Sequence, residues 1–196
     1  MESPAGTIVL CCHYGLASHA DFVLRIVARL ADRLADGFRV QFGWSLLTVR
    51  REGGEWVIYE PDFGGDPIAG LRRDTTLTLR VQAEMNAMLA RCKVDTPDYP
   101  LYTDTVVTRK GALRAPRAYL LRSPRTGAND SGWFLGLPDE EVDPGVVDDV
   151  DRYEVVAVCG LVAVRPEFAK VLALPAGYVA VFRGRDVEAI EGPEDR

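Results

Sequence analysis

NDSGWFLGLPDEE occupies residues 129–141, and the order of its residue types reads as a turn feeding a short strand. Asn129, Asp130 and Ser131 are turn formers, Gly132 permits a close backbone approach, and Trp133, Phe134 and Leu135 begin an apolar run. Trp133 then has two roles open to it. A large aromatic in a short strand ordinarily contributes roughly 150–250 Å² of packing area, which favours the core; an exposed indole would instead serve as an anchor for a partner.

Working outward from that strand, TVVTR, AYLLR, YEVVAV and YVAVFRG are further short strand candidates, with a helical piece around PEFAKVLAL. The C-terminal half is thus expected to be strand-rich with one short helix. Upstream, TIVLCC at residues 7–12 is a continuous apolar run that suits a strand buried on both faces. Ser18 offers a helix N-cap with Asp21 three residues on, and Val23, Ile26, Val27, Leu30 and Leu34 recur at helical spacing before Gly37. FRVQFGWSLLTVRREGGEWVIYEPDF reads as two strands joined at EGG, a hairpin carrying Trp44 and Trp56. Asp74 or Thr75 then caps a second helix whose stripe is Leu77, Val81, Met85, Met88, Leu89 and Cys92. The expected fold class is α+β, with mixed or antiparallel sheets and two main helices in the N-terminal half. KVDTPDYPLYTD has the composition of a connector. It suggests a β-α-β-β-α region over 1–98 and a second domain over 99–196.

A chain of 196 residues with 47% hydrophobic content can fill a core without covalent staples. Cys11, Cys12, Cys92 and Cys159 include no C-x-x-C spacing, so reduced thiols are the simple reading, and neither a zinc site nor a redox site is indicated. The N-terminal MESPAGTIVLCCHYG has an acid where a secretory leader wants positive charge, and no run reaches the length of a membrane span. The expectation is a cytoplasmic protein with no membrane partner. A net charge of −6 opposes a phosphate backbone, so nucleic acid is not an expected partner either.

Charge is segregated in the second half. Arg109, Lys110, Arg114, Arg117, Arg122 and Arg125 form a stretch without acids, while Asp139, Glu140, Glu141, Asp143, Asp148, Asp149 and Asp151 form one without bases. Mutual neutralisation of loops is the ordinary account. The alternative is an acidic recognition loop that speeds encounter with a basic partner. The acids lack the D-x-[DN]-x-[DN]-G order of a calcium loop, and no metal is expected there.

CCHYGLASH sets Cys12 beside His13, with His19 six residues on, which raises a cysteine-dependent hydrolase or transferase as an alternative. Neighbours on a strand point to opposite faces, which counts against it. Two histidines without a third ligand make an incomplete metal site. No G-x-S-x-G, Walker-type loop or G-x-G-x-x-G follows a strand, and no cofactor is expected. A regulatory domain with an unknown ligand is a third reading.

The series DSGWFLG, an acidic stretch, YEVVAV and RPEFAKVLALPAGYVAVF resembles the immunity-protein family thirty-three of bacterial polymorphic toxin systems. The matching positions are Ser131, Gly132, Trp133, Pro166, Leu172, Pro175 and Gly177, within about residues 103–184. The resemblance implies a cytoplasmic antidote that binds a cognate protein toxin and blocks it without chemistry of its own. The acids are denser here than in the family's Gly-Asp-Glu-Glu pattern, and LPDEE stands where that pattern has Gly directly before Asp-Glu.

Overall fold

In the computed structural model, which describes residues 1–3, 6–138 and 150–193, the chain forms two six-stranded sheets and three α-helices among those residues. The class is α+β. The chain divides into two compact units, Met1–Glu84 and Met85–Arg196.

The first unit runs β1 (Glu2–Ser3), β2 (Gly6–Leu10), α1 (Ala17–Arg29), β3 (Phe38–Phe42), β4 (Ser45–Glu52), β5 (Glu55–Pro61), β6 (Leu71–Arg72) and α2 (Thr76–Arg91), with the unit boundary falling inside α2. The sheet order is β1-β2-β5-β4-β3, with β6 also on β5. Only β2 and β5 are parallel, in the register Ile8 to Trp56 and Leu10 to Ile58. Ile8, Val23, Val27, Leu47, Val49 and Ile58 share one buried cluster, so α1 packs through the stripe its helical spacing predicts.

Four local expectations need correction. The stretch read as one hairpin holds three strands, because a second turn at Gly43 and Trp44 separates β3 from β4. Gly43 has φ of +55°, the left-handed region that favours glycine, and a Cβ there would come within 1.6 Å of Gln82 Oε1, so a side chain would have to displace the Gln82 amide. Ser18 lies inside α1 rather than capping it, since Leu16 is the N-cap. Gly37 is left-handed, at φ of +82°, but it turns the chain into β3 rather than closing the helix, its N–H donating to the Val49 carbonyl at 2.9 Å. The strand expected to be buried on both faces is half-buried, with Ile8 alone fully enclosed.

The start of α2 is held by two carboxylates. Asp74 Oδ1 accepts the Thr76 N–H at 3.0 Å, and Glu60 Oε2, from β5, accepts the Thr78 N–H at 2.7 Å. Glu60 is only 2% exposed. Helix N-termini leave N–H groups without intrahelical partners, and a buried acceptor satisfies one of them here. Trp44 closes the same corner, stacked on Phe63 at 4.8 Å with its indole N–H directed at the Thr78 carbonyl, 3.4 Å away.

The second unit contains β7 (Thr105–Arg109), β8 (Arg117–Arg122), β9 (Asp130–Gly136), β10 (Tyr153–Ala157), α3 (Val158–Val164), β11 (Val179–Arg183) and β12 (Asp186–Glu191). Its sheet order is β10-β7-β9-β8-β11-β12, with β7 and β9 parallel and the other pairs antiparallel. Alternation along the strands sends Val106, Leu120, Trp133, Leu135, Ala180 and Phe182 to an inner face that is fully buried. Phe168 meets Phe182 edge-on at 4.7 Å from that side. The one helix expected around PEFAKVLAL is instead a 3-10 segment, Pro166–Val171, preceded by α3.

Burial pushes the Glu60 carboxyl up to about 7, outweighing the hydrogen bonds from Thr78 and Leu77 that favour its charged form. A raised carboxyl binds its proton more tightly folded than unfolded, so the contribution of Glu60 to stability is fully present below about 4.5 and is lost as pH rises through about 7. The displacement corresponds to about 3 kcal/mol. Urea midpoints of the wild type should therefore fall between pH 5 and about 7. In Glu60→Gln, which keeps an acceptor for Thr78, that slope should flatten; an unchanged slope would rule the assignment out.

Candidate functional site

Each residue of the DSGW sequence does one structural task. Asp130 accepts three hydrogen bonds, from the Thr126 N–H and hydroxyl at 2.8 Å each and from the Gly132 N–H at 2.7 Å. These hold its carboxyl below the usual range, the Thr126 and Gly132 amides contributing most. The Ser131 hydroxyl accepts the Trp133 N–H at 3.1 Å. Gly132 sits at φ of +71°, and a Cβ there would lie 2.4 Å from the Ser123 carbonyl oxygen. That close approach lets the Ser123 N–H reach the Gly132 carbonyl at 2.8 Å. Trp133 points inward at 2% exposure and donates its indole N–H to the Leu172 carbonyl at 3.0 Å.

The late residues of the series meet the same place. The Gly177 N–H donates to the Arg122 carbonyl and the Arg122 N–H to the Tyr178 carbonyl, both at 2.8 Å. Gly177 has φ of +99° and faces Pro193, whose Cβ lies 3.1 Å from where a side chain would begin. Pro166 opens the 3-10 segment that carries Phe168 and leads to Leu172. Arg165, just before it, donates to the Ala115 carbonyl at 3.1 Å and the Gly184 carbonyl at 2.5 Å, pairs with Glu167, and lies 4.4 Å above the Phe168 ring.

Beside this junction lies a clasp of arginines and aspartates. Arg122 is 1% exposed, pairs with Asp98, and places its guanidinium 5.4 Å from the centre of the Trp133 ring. Its Nε and Nη1 have no hydrogen-bond partner among the described residues. Facing an aromatic ring is the way a flat cation with weakly hydrated faces tolerates burial. Arg125 bridges Asp98 and Asp104 at 2.9 Å each and donates to the Tyr99 carbonyl at 2.7 Å. Burial raises the Asp98 carboxyl, but Arg125 and Arg122 together outweigh it and hold the group below the ordinary range. Arg117 pairs with Glu188 at 2.9 Å, and Arg109 donates to the Arg152 carbonyl at 3.0 Å. Four members of the basic stretch, Arg109, Arg117, Arg122 and Arg125, are thus engaged by groups of their own unit.

Of the residues singled out for partner binding, Asp139, Glu140, Glu141, Asp143, Asp148 and Asp149 lie outside the described residues. Asp151 is exposed, in the 3-10 turn Val150–Arg152 that leads into β10. Trp133 is core, with its polar edge already bonded. The alternative nucleophile fares poorly: burial first, then the charge of Asp74 and the neighbouring Cys11, push the Cys12 thiol up, whereas an activated thiol needs the opposite. His13 spends Nδ1 accepting the Gly15 N–H at 3.2 Å, and the ring of His19 lies beside the Ser18 hydroxyl at 3.4 Å. All four cysteines are free and half-buried. No group of three or more metal-ligating side chains occurs among the described residues.

Sequence reasoning missed the Asp98, Arg122, Arg125 and Asp104 clasp. Its signal was faint: two arginines with an Asp-rich connector some 24 residues upstream carry no spacing rule.

A protein-family model describing the Imm33-like domain matches residues 84–191, which brackets the ordered series from Ser131 to Gly177. Neither the curated proteins nor the solved structures contain a match to this chain. No helix among the described residues is long and apolar enough to cross a membrane. Because the matched span is more than half of the 196 residues and takes in the whole Trp133 junction, the chain belongs to the Imm33-like domain family.

Proposed function

We propose that this chain is a cytoplasmic bacterial immunity protein that binds a cognate protein toxin stoichiometrically and blocks it by occlusion, performing no chemistry itself. The observation that carries the reading is the family match over residues 84–191. The geometry is in keeping with it. The family's ordered residues are spent on turns, close approaches and packing, and the Cys12 thiol beside His13 is shifted away from reactivity. The acids Asp139, Glu140, Glu141, Asp143, Asp148, Asp149 and Asp151 act as a recognition loop, whose field attracts a basic toxin surface and repels acidic ones. Trp133 serves that role from inside, by fixing β9, the strand from which the loop departs.

Co-expression with the product of the adjoining open reading frame should restore growth to cells carrying that product and yield a complex of one copy each. Unrelieved toxicity together with no co-purifying complex would sink the reading. Neutralising the seven acids as amides should slow association about tenfold or more at low salt and change dissociation little. An association rate insensitive to both the substitutions and ionic strength would remove the loop from recognition. Trp133→Phe deletes the donor to Leu172 and leaves a buried carbonyl unpaired, which should cost about 1–3 kcal/mol in urea denaturation. Below the melting temperature its affinity should stay within a few-fold of wild type; a large affinity loss without destabilisation would make the indole a contact residue.

A further inference from the structure

The end of α2 closes in an unexpected way. The Val94 N–H donates to the Leu89 carbonyl at 2.9 Å and the Lys93 N–H to the Ala90 carbonyl at 3.2 Å, the bond pair of a left-handed helix stop whose closing residue is most often glycine. Here that residue is Lys93, at φ of +54°. A side chain in this region crowds its own carbonyl, a cost glycine does not meet. Complementing the helix carbonyls does not account for it, because Arg91 already places a cation in the last turn.

Both cations line a cavity of about 490 Å³, a volume in the range of small-molecule sites. Cys92 lies with them, and Tyr178, Ile190 and Pro193 form the other walls. Burial pushes the Cys92 thiol up while the charge of Arg91 opposes it, so the guanidinium stands near the sulfur. Ile190 of β12 is opposite buried Ala180 and so belongs to the inner face of the sheet. Pro193 packs where Gly177 has no side chain, its Cβ 3.1 Å from the position a Cβ would take.

Charge and shape select the ligand. No acid is among the residues lining the cavity. Glu191 stands opposite Val179, which turns it to the outward face, and exposed Asp95 takes no part in the lining. Neither Arg91 nor Lys93 forms an ion pair with a described residue. Glu194 and Asp195, which follow Pro193, lie outside the described residues. A phosphate monoester carries about two negative charges at neutral pH, which two cations match and one carboxylate would not. The planar fork of Arg91 can take two phosphate oxygens and Lys93 a third as a point charge. Ile190, Pro193 and the Tyr178 ring offer apolar surface to the organic group.

We infer that the cavity between the end of α2 and β12, with Arg91 and Lys93 as its cations, binds a small organic phosphate monoester. Binding there is independent of toxin neutralisation, and Cys92 does no chemistry in it.

The test is maleimide labelling of the reduced full chain, read by peptide mass spectrometry, with phenyl phosphate as the probe. Saturating probe should slow labelling of Cys92 about tenfold and leave Cys11, Cys12 and Cys159 unchanged. In calorimetric titration, Arg91→Gln and Lys93→Gly should each weaken phenyl phosphate about tenfold, the loss of one charge-assisted contact. Lys93→Gly should nevertheless melt no lower than wild type, since glycine suits the left-handed position. Benzoate binding as tightly as phenyl phosphate would overturn the phosphate assignment. Slowing of all four thiols together, or an affinity unmoved in Lys93→Gly, would overturn the site. So would a wild type that shows neither protection nor heat; binding that appears only in a chain ending at Pro193 would assign the cations to Glu194 and Asp195 instead. Should Cys92 label too slowly to follow, the titrations of the wild type and the two variants decide.

Discussion

An indole can be buried at a net gain only if its N–H keeps a partner, and in the second unit that partner is the Leu172 carbonyl, 3.0 Å away. The bond ties β9 to a segment nearly forty residues later. The 3-10 segment lies against the inner face, with Phe168 edge-on to Phe182, because the chain must deliver Leu172 to the ring. Gly132 must be glycine because the strand that presents the ring first runs within van der Waals distance of the Ser123 carbonyl. Asp130 and Ser131 hold the backbone in the turn that aims it.

The same ring explains an otherwise costly feature, a buried guanidinium. Removing a cation from water is expensive unless its hydrogen bonds and charge are answered. Arg122 has Asp98 at one edge and the Trp133 face near the rest, with Nε and Nη1 lacking acceptors among the described residues. Arg125 completes the arrangement from the half-exposed side by sharing Asp98 and tying in Asp104, whose carboxylate also accepts the Leu101 N–H at 2.9 Å. The connector before β7 is thereby fixed by charge where its two prolines and polar residues give it little apolar surface to bury.

What the sequence made legible follows this division. β7, β8, β9 and β10 were readable because each is a short β-branched or aromatic run bounded by turn residues. α3 was not, since VCGLVAV continues the apolar YEVVA without a break and valine favours strand; Val158, Leu161 and Val162 become helical because the inner face needs them at that spacing. The turn at Gly43 was hidden between two runs rich in β-branched and aromatic residues, and the approach of Gln82 to it belongs to tertiary structure. The cap on α2 was half legible: Asp74 could be read, whereas Glu60 reaches the helix from β5 across 18 residues. In the candidate site, the motif residues could be picked out by resemblance. The clasp could not, because pairing across 24 residues leaves no periodic trace.

The apolar residues on the outer side of the second sheet were visible in the sequence and invited a different reading. TVVTR and AYLLR carry apolar side chains at consecutive positions, a pattern that in an ordinary sheet means burial on both faces. Here the two faces part company. Val106 is fully buried while its neighbour Val107 is 42% exposed, and buried Trp133 and Leu135 flank the half-buried Phe134. The inner residues are accounted for by the Trp133 core, so the outer ones contribute comparatively little to stability where they stand. The family's ordered residues, with Trp133 at their centre, therefore fall on the side that keeps the sheet in shape.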